Sequence, residues 1–121
     1  MTQSLRDMMR EMMETRERCA EEARNLFGIL PMELGSNFNA TFSGGTVIQV
    51  RINGTKYGLS TAYPIDANMH HAKYGFVIET ALLNASGEIV YDPQLGYEDV
   101  RRWSNINELV EEFNRLRLLL V

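Results

Sequence analysis

The sequence predicts an α+β fold: a long first helix, an antiparallel sheet of about five strands, and a last helix. Three observations carry this. Apolar residues recur at helical spacing near both ends of the chain, they alternate with polar ones between, and Gly, Pro and Asn punctuate the alternating runs. A chain of 121 residues suits one domain, taken here as 1–121.

The first helix is expected over 5–27. Ser4 is its cap, and Leu5, Met12, Cys19 and Leu26 stand seven apart, so they share one stripe. Asp7/Arg10, Arg10/Glu14 and Glu14/Arg18 support the solvated side. Gly28 offers a C-terminal cap and Pro31 opposes continuation. Five of the seven methionines fall in the first thirteen residues. Flexible packing of an apolar interface is the plainer explanation, and a groove for varied partners the sharper one.

The sheet is expected within 38–92. Phe38, Ala40 and Phe42 alternate, and Ser43-Gly44-Gly45 turns the chain into a second strand, Thr46–Ile52, with Ile48, Val50 and Ile52 on one face. Asn53-Gly54 is a strong hairpin signal. A two-residue turn there sets Arg51 opposite Lys56, two like charges that solvent screens or an anion bridges. The third strand runs through Tyr57, Leu59, Thr61 and Tyr63 to Pro64; the fourth covers Tyr74–Leu83; the fifth is Ile89–Tyr91. The last helix is expected over 105–119. It starts at the capping box Asn105-Ile-Asn-Glu108, and Ile106, Leu109, Val110, Phe113, Leu116 and Leu120 form its apolar face. Leu118–Val121 is an apolar end that wants a partner surface.

The net charge of −4 argues against coating a long nucleic acid. No apolar run reaches the ~20 residues of a membrane span. The charged N-terminus does not resemble a secretory signal, and the single cysteine, Cys19, forms no internal disulfide, so the cytoplasm is the expected compartment.

Chemistry is thinly signalled. No nucleophile–base–orienter set, phosphate-cradling Gly loop or zinc pattern can be read, so no catalytic residue, no metal and no cofactor is expected. His70-His71 lacks further ligands at suitable spacing. A hydrolase or transferase would have only Glu79, Asp92 or His70 as its general base. Binding is easier to build. Residues 91–103 combine Tyr91, Tyr97 and Trp103 with Arg101 and Arg102 just before a helix cap, which suits an anion carrying a flat base. Asn84 offers a donor and an acceptor. The plainer alternative pairs Arg101 and Arg102 with Glu98 and Asp99, with Trp103 stapling the helix.

In order and approximate spacing, an arginine on the first helix (Arg24), an arginine and a phenylalanine on the sheet (Arg51, Phe76), an Asn after a turn (Asn84) and Arg101-Arg102 before the last helix resemble the Thoeris anti-defence sponge family. These are phage proteins that capture cyclic ADP-ribose isomers, and some hold cyclic oligonucleotides at a second site. The resemblance implies a non-enzymatic protein that sequesters a cyclic nucleotide signal inside an infected bacterial cell. It implies that Phe76 stacks the adenine, that Arg101 with Arg24 of a neighbouring protomer holds the pyrophosphate, and that Asn84 reads a base or ribose edge. Arg51 and Arg102 would form the second anionic site. The long Met-rich helix and the apolar C-terminus further suggest a homo-oligomer, from a dimer up to a hexamer. A different expectation from the same two features is an inhibitor module that blocks a protein partner.

Overall fold

In a computed structural model, which describes residues 4–44, 46–64, 68 and 77–121, the chain forms a helical layer on one face of an antiparallel sheet. Helix α1 spans Leu5–Leu34. Strands β1 (Phe38–Gly44), β2 (Val47–Ile52), β3 (Gly58–Ala62), β4 (Ile78–Leu83) and β5 (Arg101–Trp103) lie in sequence order in one sheet. Helix α2 spans Ile106–Leu120. The expected α+β architecture is therefore present.

Directly opposed residues of antiparallel strands point to the same face. The pairs Phe38–Ile52, Phe42–Ile48, Val50–Leu59 and Leu59–Leu82 thus define an inner face, which both helices cover. Phe27 of α1 meets Phe42 edge-on, and Phe113 of α2 meets Phe38 in the same way. Ala23, Phe27, Leu30, Ile48, Val50, Leu59, Ile78, Leu109 and Phe113 are fully enclosed in this core.

The structure corrects several expectations. Helix α1 does not stop at Gly28 but continues through Pro31 to Leu34. Proline there gives up the bond to the Phe27 carbonyl. Burial of Leu30 and Leu34 offsets that loss, and Gly35, at φ 80°, ends the helix by donating to the Pro31 carbonyl. The β2–β3 hairpin does not close at Asn53-Gly54. Ile52 N–H donates to the Tyr57 carbonyl, and Arg51 faces Gly58 rather than Lys56. A type I′ turn needs positive φ at both central residues, and here only Gly54 has it. Thr55 Oγ1 instead donates to the Ile52 carbonyl and accepts from Tyr57 N–H, which stabilises a turn longer by two residues.

The fifth strand is Arg101–Trp103, not Ile89–Tyr91. Ile89 makes only an isolated bridge to Leu83. The intervening stretch folds into a short 3-10 turn, Pro93–Leu95, that Asp92 caps and Gly96 ends. The expected fourth strand from Tyr74 overlaps residues outside the described ones; its described part starts at Ile78. Buried Asn68 ties Pro64 to Val77: its side chain donates to the Pro64 and Val77 carbonyls and accepts from Val77 N–H.

Of the four apolar C-terminal residues, Leu120 packs on the core while Leu118, Leu119 and Val121 are exposed. Among the described residues no helix is long and apolar enough to cross a membrane.

Candidate functional site

The stretch 91–103 brings its polar groups to one buried carboxylate, Glu112. Periodicity explains its position: Glu112 follows Leu109 by three and precedes Leu116 by four, so it sits on the apolar face of α2. Its side chain is 1% exposed. Arg115, one turn on, grips it with one guanidinium edge, Nε to Oε1 at 2.6 Å and Nη2 to Oε2 at 2.9 Å. The Tyr97 hydroxyl donates to Oε2 at 2.6 Å.

Behind Tyr97 the proton order is fixed. Tyr97 spends its only proton on Glu112, so the Thr80 hydroxyl donates to Tyr97 at 2.8 Å, and Trp103 Nε1–H donates to Thr80 at 2.9 Å. Burial pushes the Tyr97 hydroxyl well above its ordinary value, and its bond to Glu112 pushes it further. The hydrogen bonds to Glu112 likewise raise the Arg115 guanidinium.

Arg101 stands at the mouth of this network. On the edge strand β5 it faces Thr80, and Trp103 faces Ile78, so both point to the inner face. Its guanidinium lies 4.9 Å from the Trp103 ring centre and 5.8 Å from that of Tyr97, where the ring faces attract a cation. Its hold on Glu112 is loose, from Nη1 alone at 3.3 and 3.4 Å. Gly96 makes room for both arginines: a Cβ there would stand 3.1 Å from Arg101 Nη1 and 3.4 Å from Arg115 Nη2. Arg101, Arg102, Trp103, Ser104 and Arg115, with the carboxylates Glu108, Glu111 and Glu112, border an open groove of about 540 Å3.

The helix cap beside it is already used. Asn105 Oδ1 accepts from Glu108 N–H, and Glu108 Oε2 accepts from Ser104 N–H. The first turn of α2 therefore does not present those groups to an anion. The pairing of Arg101 and Arg102 with Glu98 and Asp99 is not found. Arg101 meets Glu112, Arg102 meets Glu79 at 3.0 Å, and Asp99 accepts from Val100 N–H.

The remaining site residues are distributed as follows. Arg102 faces Glu79 and Arg51 faces Gly58, so both lie on the outer face of the sheet, opposite to Arg101. Three strand spacings separate β2 from β5, ~14 Å. Arg51 and Asn84 do meet: Arg51 Nη1 donates to the Asn84 carbonyl at 2.6 Å. Asn84 Oδ1 accepts from Ser86 and Glu88 N–H, which closes the β4 turn. That turn lies four residues beyond Thr80, ~13 Å along the strand from Arg101's position. Arg24 is on the exposed side of α1. Phe76, His70 and His71 lie outside the described residues.

Glu112, Arg115 and Thr80 were not anticipated. A carboxylate inside an apolar helical stripe was the available signal for Glu112; nothing local marks Thr80. Among the described residues no cluster of His, Cys, Asp or Glu is suited to a metal ion. Comparison of the chain with protein families, curated proteins and solved structures found no match.

Proposed function

We infer that the protein is a non-enzymatic binding protein that captures a small cyclic nucleotide, of the cyclic ADP-ribose type, and withholds it as an anti-defence protein in an infected bacterial cell. One observation supports this most: Arg101 is positioned but not consumed. Arg115 already satisfies Glu112 with short bonds, while Arg101 rests on two rings and, among the described residues, uses a single nitrogen in long ones. A fixed guanidinium with unused donors beside an open groove suits a phosphate or pyrophosphate oxygen. Arg101 and Arg102 both border that groove, although they face opposite sides of β5. In this reading Phe76 supplies the stacking ring.

A second reading is an interaction module that blocks a protein partner. The exposure of Met8, Met9, Met12 and Met13 favours it, as does that of Leu118 and Leu119. It expects no nucleotide ligand, and loss of function when residues 1–15 are removed.

One experiment separates these readings. The purified protein is mixed with cyclic ADP-ribose isomers and cyclic di- and trinucleotides, freed of unbound ligand and heat-denatured. The released material is then identified by chromatography with mass detection. Intact nucleotide in stoichiometric amount is expected. A chemically altered nucleotide would mean an enzyme, and no nucleotide would leave the partner-blocking reading.

A further inference from the structure

We propose that the first half of α1 is an antiparallel homodimerisation arm, with a second copy of this chain covering its methionine face. Apolar residues recur every seven positions along α1 at Leu5, Met12, Cys19 and Leu26, but the fold divides them. From Cys19 onward this stripe is buried against the chain's own core; before Cys19 nothing on it is buried. Leu5, Met8, Met9, Met12 and Met13 are each 49–72% exposed. This half extends ~20 Å, at 1.5 Å per residue.

Two observations select the occupant. The first is charge. Arg6 and Glu17 are about three turns apart and so share one flank of the stripe. Among the described residues neither is in an ion pair. In an antiparallel pair each flank meets its own copy. With the two-fold axis beside Met12, Arg6 of each copy faces Glu17 of the other, and both pairs form at once.

The second is the position of the sheet. A parallel partner following the same face past Cys19 would run into the chain's own buried layer. An antiparallel partner runs past Leu5, away from that layer, so the two sheets sit at opposite ends of the arm. The same helix face therefore serves twice, inside the protomer through its second half and between protomers through its first.

Sedimentation equilibrium on the full chain tests this. The unaltered protein should have twice the single-chain mass of 13.9 kDa. Met12→Glu should give the single-chain mass with unchanged circular dichroism, because Met12 is exposed in the protomer. Arg6→Glu and Glu17→Arg should each weaken the dimer on the order of tenfold by setting like charges opposite one another, and the double exchange should restore it. A single-chain mass for the unaltered protein would overturn the proposal and leave the face to a foreign partner. A dimer that tolerates Met12→Glu, or a double exchange that restores nothing, would overturn it as well.

Discussion

The Tyr97 hydroxyl donates its proton to the buried Glu112 carboxylate at 2.6 Å, and this bond joins the connection before β5 to the middle of α2. Tyr97→Phe removes one donor from Glu112 and strands the Thr80 hydroxyl in a dry site. A loss of about 1–3 kcal/mol is expected from leaving buried polar groups unsatisfied. Urea denaturation followed by circular dichroism reads it. An unchanged midpoint would mean that Arg115 alone suffices for Glu112.

The same bond makes stability fall at alkaline pH. Tyr97 and Tyr63 are both buried, and each donates to a carboxylate, Tyr63 to Glu22 at 2.6 Å. Burial first, and the hydrogen bond second, raise both hydroxyls in the folded state above their ordinary value. The unfolded chain releases these protons near pH ~10 while the folded chain keeps them. Fewer protons bound in the unfolded state means that stability is full below about pH 10 and declines above it. Denaturation midpoints across that range should show the decline, and Tyr97→Phe should make it shallower.

Gly58→Ala should destabilise the sheet even though Gly58 needs no unusual backbone angle. A Cβ at this position would stand 2.7 Å from the Val50 carbonyl oxygen and 3.2 Å from Arg51 Cδ. The Arg51 stem can shift, but the strand backbone cannot without loosening the β2–β3 ladder. A cost of about 1–3 kcal/mol is expected for overpacking. Thermal unfolding measures it, and the 2.6 Å contact from Arg51 to Asn84 should weaken with it.

Pro31→Ala should stabilise the protein. Alanine restores an N–H able to reach the Phe27 carbonyl inside α1 and relieves the crowding of the proline ring. The greater freedom of the unfolded chain takes back roughly 0.4–1 kcal/mol. Taken from an intrinsic helix difference of about 3 kcal/mol, this leaves a net gain of roughly 2 kcal/mol. A higher midpoint of thermal unfolding is the readout, and a lower one would show that the proline ring contributes packing that alanine cannot.

Arg101→Lys separates ligand binding from folding. Lysine keeps a charge near Glu112 but loses the planar fork that lies over Trp103 and reaches a phosphate. Nucleotide recovery should fall at least ~tenfold, since replacing a charge-assisted hydrogen bond costs more than about 1.4 kcal/mol. Stability should change little because Arg115 retains its short bonds to Glu112. Arg102→Ala, which breaks the partly exposed pair with Glu79, should change stability by less than ~1 kcal/mol.

Fold class, both helix starts, the central strands and the inner-face residues Ile48, Val50 and Ile52 are legible in the sequence, because helical and alternating periods are local properties of the chain. The ends and pairings needed the tertiary structure. Whether α1 stops at Gly28 or passes Pro31 depends on what Leu30 and Leu34 bury against. Whether Arg51 faces Lys56 or Gly58 depends on hairpin closure by Thr55. Whether Ile89–Tyr91 or Arg101–Trp103 forms the edge strand depends on how the turn around Gly96 returns the chain to β4. The candidate site divides in the same way. Arg101, Tyr97 and Trp103 stand out in the sequence as a cluster. Only folding brings Thr80 and Glu112 to them, across seventeen and fifteen residues from Tyr97, because the separation of contacting side chains along the chain carries no local signature.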